Sequence, residues 1–98
     1  MQIGVDIINI KNFSKILFDK GATLKVFLKH EITDNVEHMA GIMAAKEAYF
    51  KAIGKKIDWL DVEVVKSKDS KPYFKNNKKA LLSISHERDY AVAFVIII

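Results

Sequence analysis

The chain has 98 residues, half of them apolar, with no cysteine and a formal net charge of +4 at pH 7. That length fits one domain with a limited core, and the apolar share excludes a disordered tail. The lack of cysteine excludes disulfides, thiolate metal sites and a cysteine nucleophile, and the longest apolar run, Ala91–Ile98, is too short to span a bilayer.

Ile3–Ile10, rich in Ile and Val, predicts a strand without the basic flank or cleavage site of a signal peptide. The expectation is a soluble cytoplasmic protein. Asp6 lies inside this strand between Val5 and Ile7. A carboxylate there must be solvated, paired or metal-bound, because burying it bare is prohibitive. An Asp facing water on an edge strand is the plain alternative. Lys11–Asp19 predicts a short helix ended by Gly21, and Thr23–His30 a second one around Leu24, Phe27 and Leu28.

Thr33 or Asp34 is expected to cap a longer helix, with Glu37 three residues after Asp34 as in a capping box. This helix runs to about Ile53 and stops at Gly54. At the helical period Val36, Met39, Ala40, Met43, Glu47 and Phe50 share one stripe, so Glu47 interrupts an apolar face. Lys51, one turn later, offers it a surface ion pair. Lys46, on the adjoining face, carries no independent signal.

Beyond Gly54 the period becomes that of strands: Leu60–Lys66, a turn at Asp69–Lys71, an edge strand Pro72–Phe74, then Leu81–Ser85 and Tyr90–Ile98 joined through His86–Asp89. This order predicts a single α+β domain over residues 1–98, an antiparallel sheet packed with one long helix and short N-terminal helices. The apolar end Ile96–Ile98 suits packing against a neighbouring subunit or a frayed core strand.

Asp6 and Glu47, on separate apolar elements, suit a hard cation, since Mg²⁺ takes one or two carboxylates, waters and substrate phosphate oxygens. His86, beside Glu87 and Arg88 at a strand end, is the only histidine placed for function; His30 and His38 have no partner at metal-ligand spacing. There is no Gly-rich phosphate loop. The whole positive excess lies in residues 50–98. Such a surface attracts nucleotides, nucleic acid or an acidic protein, unless it is only a solvated lysine-rich face.

Several segments together resemble holo-acyl-carrier-protein synthases, the short 4′-phosphopantetheinyl transferases. Gly4-Val5-Asp6-Ile7 is similar to their first motif. Ala44-Ala45-Lys46-Glu47-Ala48-Tyr49-Phe50-Lys51-Ala52, with Gly54 after it, matches their second. Asp61-Val62-Glu63-Val64, Lys71-Pro72, Ser83-Ile84-Ser85-His86 and Tyr90-Ala91-Val92-Ala93 follow in the family's order. The resemblance covers nearly the whole chain.

It implies the phosphopantetheinyl transferase fold and transfer of the phosphopantetheine arm of coenzyme A to a serine of an acyl carrier protein, releasing adenosine 3′,5′-bisphosphate. Asp6 and Glu47 would hold Mg²⁺ and act in catalysis with Lys51. Lys51, Gly54, Pro72 and His86 would contact coenzyme A. The serine proton would go to Glu47 or to a metal-bound water. The assembly implied is a homotrimer with a site at each interface, and neither nucleic acid nor a membrane is an expected partner.

Departures from the family pattern are Asn9 for a glutamate, Asn12 for a carrier-contacting arginine, Ile42 for a phosphate-binding arginine, Ser70 for a glycine and Glu87 for a threonine. Lys11, Lys15, Lys55 or Lys56 are candidate replacements for the lost arginines, as flexible point charges. The alternative reading is a degenerate paralogue that binds coenzyme A or a carrier without turnover.

Overall fold

The computed structural model describes residues 1–17 and 20–98. Its chain ends meet in one sheet. Strand β1 (Gln2–Asn9) pairs antiparallel with the C-terminal strand β5 (Tyr90–Ile97), from Gln2 opposite Ile97 to Asn9 opposite Tyr90. On the other side of β5 lies β4 (Ala80–Glu87), also antiparallel. The sheet order is β1-β5-β4, so the predicted final strand is central, and the outermost residue Ile98 is exposed. Strand alternation puts Ala91, Ala93, Val95 and Ile97 on the buried face and Val92, Phe94 and Ile96 on the other.

Across the buried face lies the long helix α3 (Val36–Ile53), ended as predicted by Gly54 at φ +77°. Its N-cap is Asn35, not Thr33 or Asp34: Asn35 Oδ1 accepts from the His38 amide at 3.0 Å, while Thr33 Oγ1 is occupied by the Asn35 amide at 3.1 Å. Small residues let helix and sheet approach closely. A Cβ on Gly4 would lie 2.0 Å from the carbonyl oxygen of Ala48, which is why the first motif needs its glycine.

The N-terminal helices are α1 (Ile10–Ile16) and α2 (Lys20–Val26), and a 3₁₀ turn follows at Lys29–Glu31. Gly21 lies within α2 rather than ending α1, whose C-cap is Leu17. The predicted end of the first helix at Asp19 lies outside the described residues. Asn9 caps α1, its Oδ1 accepting from the Asn12 amide at 3.1 Å, so that departure has a structural role.

The expected strand Leu60–Lys66 is mostly not a strand. Asp58 caps a 3₁₀ turn at Trp59–Asp61, and Trp59 packs edge-on against Phe50 with centroids 4.9 Å apart. Only Val64–Lys66 (β2) pairs, forming a two-stranded sheet with β3 (Pro72–Phe74). In the loop between them Ser70 holds φ +64°, the left-handed conformation that favours glycine. No described helix is long and apolar enough to cross a membrane.

Candidate functional site

Gly4 and Asp6 share the face of β1 that meets α3. Asp6 is therefore only 7 % exposed, even though β1 is an edge strand, and the solvent-facing alternative is excluded. Lys51 reaches back from the last turn of α3 and donates to Asp6 Oδ1 at 2.9 Å and to the Val5 carbonyl at 3.1 Å. The ion pair of Lys51 thus forms with Asp6, across the interface, rather than with Glu47 along the helix.

Glu47 faces the same place from α3. Its burial pushes its carboxyl up to about 7, helped by hydrogen bonding to and repulsion from Asp6, with Lys51 and Lys56 pulling the other way. The second oxygen of Asp6, Oδ2, is buried and, while Glu47 is ionised, meets no donor among the described residues. Two neighbouring carboxylates, one short of a donor and one holding its proton toward neutral pH, are the pattern a cation relieves. No third His, Asp or Glu joins them among the described residues. Two protein carboxylates, with the remaining positions left to water and phosphate oxygens, fit Mg²⁺ better than a metal that demands a full protein cage.

Pro72 and His86 meet elsewhere, in a cleft of about 390 Å³ shared with Ile42, His38, Lys66 and Ser70. His86 Nδ1 lies 3.4 Å from Glu37 Oε2. Burial and then the charge of Lys66 lower the pKa of His38. Sequence reasoning passed over His38 and Lys66 as cleft residues, because only the packing of β2 against α3 brings them together. Asp6, Glu47 and Lys51 do not line this cleft. Lys51 instead borders a hollow of about 320 Å³ with Ile3, Gly4, Val5 and Phe94. Gly54 lines neither; a Cβ there would meet nothing within 4 Å, and its visible role is the left-handed helix end.

The second omission is Lys46, which is fully buried. Its Nζ donates to Glu31 Oε1 and to the Val26 carbonyl, both at 2.7 Å, and to the Trp59 carbonyl at 3.1 Å. Glu31, 1 % exposed, also accepts from the Leu28 amide at 2.8 Å and the Val64 amide at 2.9 Å. Met39, Ile42, Lys46 and Phe50 recur at helical spacing, and that was the available signal.

Known proteins share the sequence pattern and the fold. The sequence profile of the 4′-phosphopantetheinyl transferase superfamily matches residues 2–95. The chain belongs to that superfamily. A holo-[acyl-carrier-protein] synthase of Nautilia profundicola is 37 % identical, with 99 % of each chain covered. One from Thermodesulfovibrio yellowstonii is 38 % identical, covering 97 % of this chain and 96 % of its own. Among solved structures, the Helicobacter pylori synthase in complex with coenzyme A superposes with a TM-score of 0.90 at 28 % identity, covering 97 % of this chain and 98 % of that one. The Bacillus anthracis synthase in complex with CoA (3′,5′-ADP) gives 0.86 at 32 % identity, with 98 % and 94 % covered. This transferase therefore shares the α+β architecture expected from its sequence.

Proposed function

We propose that this transferase moves the 4′-phosphopantetheine arm of coenzyme A to a serine of an acyl carrier protein and releases adenosine 3′,5′-bisphosphate, with Mg²⁺ held by Asp6 and Glu47. The observation that carries the metal reading is the buried carboxylate pair with its undonated oxygen. When bound, the cation neutralises the diphosphate and the charge that builds on the leaving group. Lys51, anchored on Asp6 but with its side chain more than half exposed, adds a fixed positive charge at the same place. Glu47 or a metal-bound water would accept the serine proton. The Pro72–His86 cleft takes the nucleotide end.

Within one chain Asp6 and Glu47 do not line the Pro72–His86 cleft, and Lys51 borders a separate hollow. The outer sheet face is apolar as well: Ile3, Val5 and Ile7 of β1 lie beside Phe94 of β5, and all four are exposed. Both facts support a homotrimer in which the carboxylates of one protomer complete the cleft of the next. Light scattering at micromolar concentration checks this, and a stable, active monomer would refute it. Mass spectrometry of an apo carrier protein after incubation with coenzyme A and Mg²⁺ tests the activity. Asp6→Asn and Glu47→Gln should each lower turnover about 100-fold or more while the protein stays folded; near-normal activity of either in saturating Mg²⁺ sinks the assignment. Binding of coenzyme A without transfer would establish the degenerate paralogue that Asn12 and Ile42 suggest.

A further inference from the structure

We propose that the buried Glu31–Lys46 pair is a positioning device for Glu47, the residue next to Lys46 on α3; this rests on the role of Glu47 proposed above. All three ammonium donors of Lys46 are used, on oxygens from the end of α2, the Lys29–Glu31 turn and the Trp59 turn. Glu31 adds β2 to the same knot through the Val64 amide.

Stability alone does not account for such a knot. A buried ion pair commonly does no better than apolar residues of similar volume. What it supplies is direction, to which the other side of α3 adds only the bonds of the half-exposed Lys51 to Asp6 and the Val5 carbonyl. There Gly4 packs directly against Ala48 and Ala52, and Ala44, Ala91 and Ala93 are fully buried. Small residues fix how near the helix lies, while the larger apolar side chains there, such as Ile84 against Gly41, pack without directional bonds. Rotation decides where Glu47 points. With side chains about 6 Å from the helix axis, a turn of about 20° moves a carboxylate about 2 Å. A misplacement of about 1 Å at a reacting centre can cost about 100-fold in rate. Three directional bonds one residue from Glu47 hold that rotation against the sheet edge where Asp6 waits.

The test uses the full chain with both charges replaced, Glu31→Leu with Lys46→Met. Urea unfolding, Mn²⁺ binding to the free protein by electron paramagnetic resonance, and steady-state kinetics are compared with wild type. The expected result is a folded protein of near wild-type stability, with Mn²⁺ affinity and kcat each lowered about 10-fold or more and KM for coenzyme A within about 2-fold. A folded double variant with wild-type Mn²⁺ affinity and kcat would overturn the proposal and leave the pair a structural clasp. If the double variant does not fold, Glu31→Gln, which keeps the shape of the knot, decides instead. A loss of about 3-fold or more in Mn²⁺ affinity and kcat supports positioning, and wild-type values overturn it. Glu47→Gln in an intact knot is the separate control. If it retains both turnover and Mn²⁺ binding, the role assigned to Glu47 fails whatever the knot does.

Discussion

Two charged clusters flank α3, and they are built on opposite terms. Behind the helix, Glu31 and Lys46 are sealed from water with every ammonium donor engaged and both carboxylate oxygens accepting. In front of it, Asp6 has a buried oxygen left without a donor once Glu47 gives up the proton it holds toward neutral pH. A completed network of buried charge belongs to structure. An incomplete one is an invitation to a ligand. The contrast explains how neighbouring residues of one motif, Lys46 and Glu47, serve different ends.

Breaking the completed cluster on one side has the largest expected effect. Lys46→Met alone strands the Glu31 carboxylate and should destabilise the protein by about 3–5 kcal/mol in urea unfolding. The matching change in front, Asp6→Asn, should cost little or even stabilise the metal-free protein, because it removes a buried charge that lacks a full set of partners. Equal losses from the two substitutions would erase the contrast.

Gly4→Ala comes next. The added methyl would collide with the backbone of Ala48 and Ala52, at 2.0 and 2.8 Å, so strand and helix must separate. A loss of about 3 kcal/mol is expected, together with weakened Mn²⁺ binding as Asp6 and Glu47 part. Thermal unfolding and metal titration measure the two effects on one sample.

Acidity gives a smaller handle on the front cluster. The Glu47 carboxyl lies at about 7 in the folded chain against an ordinary 4.5. Between those values the folded, metal-free protein binds more protons than the unfolded chain, so its stability is expected to fall as pH rises through this window. Allowing for partial exposure, the loss is about 1–2 kcal/mol. Glu47→Gln should flatten the slope, and Mg²⁺ should offset it in wild type; urea unfolding at both ends of the window, with and without the cation, reads this directly. An unchanged slope in Glu47→Gln would mean that another group carries it.

Least in energy is the Pro72–His86 cleft proposed for the nucleotide, where Ile42 stands in the wall with His38 and Lys66. Ile42→Arg should lower KM for coenzyme A by about 3- to 10-fold with kcat little changed, the pattern of uniform binding gained. Wild type should show the steeper salt dependence of binding, since exposed lysines act through screened charge. If the variant binds coenzyme A no better, either another group already fills the phosphate site or Ile42 does not stand at the family's arginine position.

The amino-acid sequence by itself determined the class of fold, the long helix and its stop at Gly54, the β4–β5 hairpin, and Asp6 and Glu47 as carboxylates out of place among apolar neighbours, though not that they meet. These are written in local terms: strand alternation, helical period, a left-handed cap, carboxylates among apolar neighbours. Helix starts and the short turns were less legible, because Asn35 and Asp58 compete for caps with neighbours of similar chemistry. Only the tertiary structure decided the partners of charge. Lys51 had a carboxylate one helical turn away and took Asp6 instead, since helix and strand lie within reach only where Gly4 omits a side chain. Lys46 found Glu31 fifteen residues back through a helix, a turn and a loop that no periodicity connects. Local pattern fixes which way a side chain faces, but which charge it meets there depends on how separate elements pack.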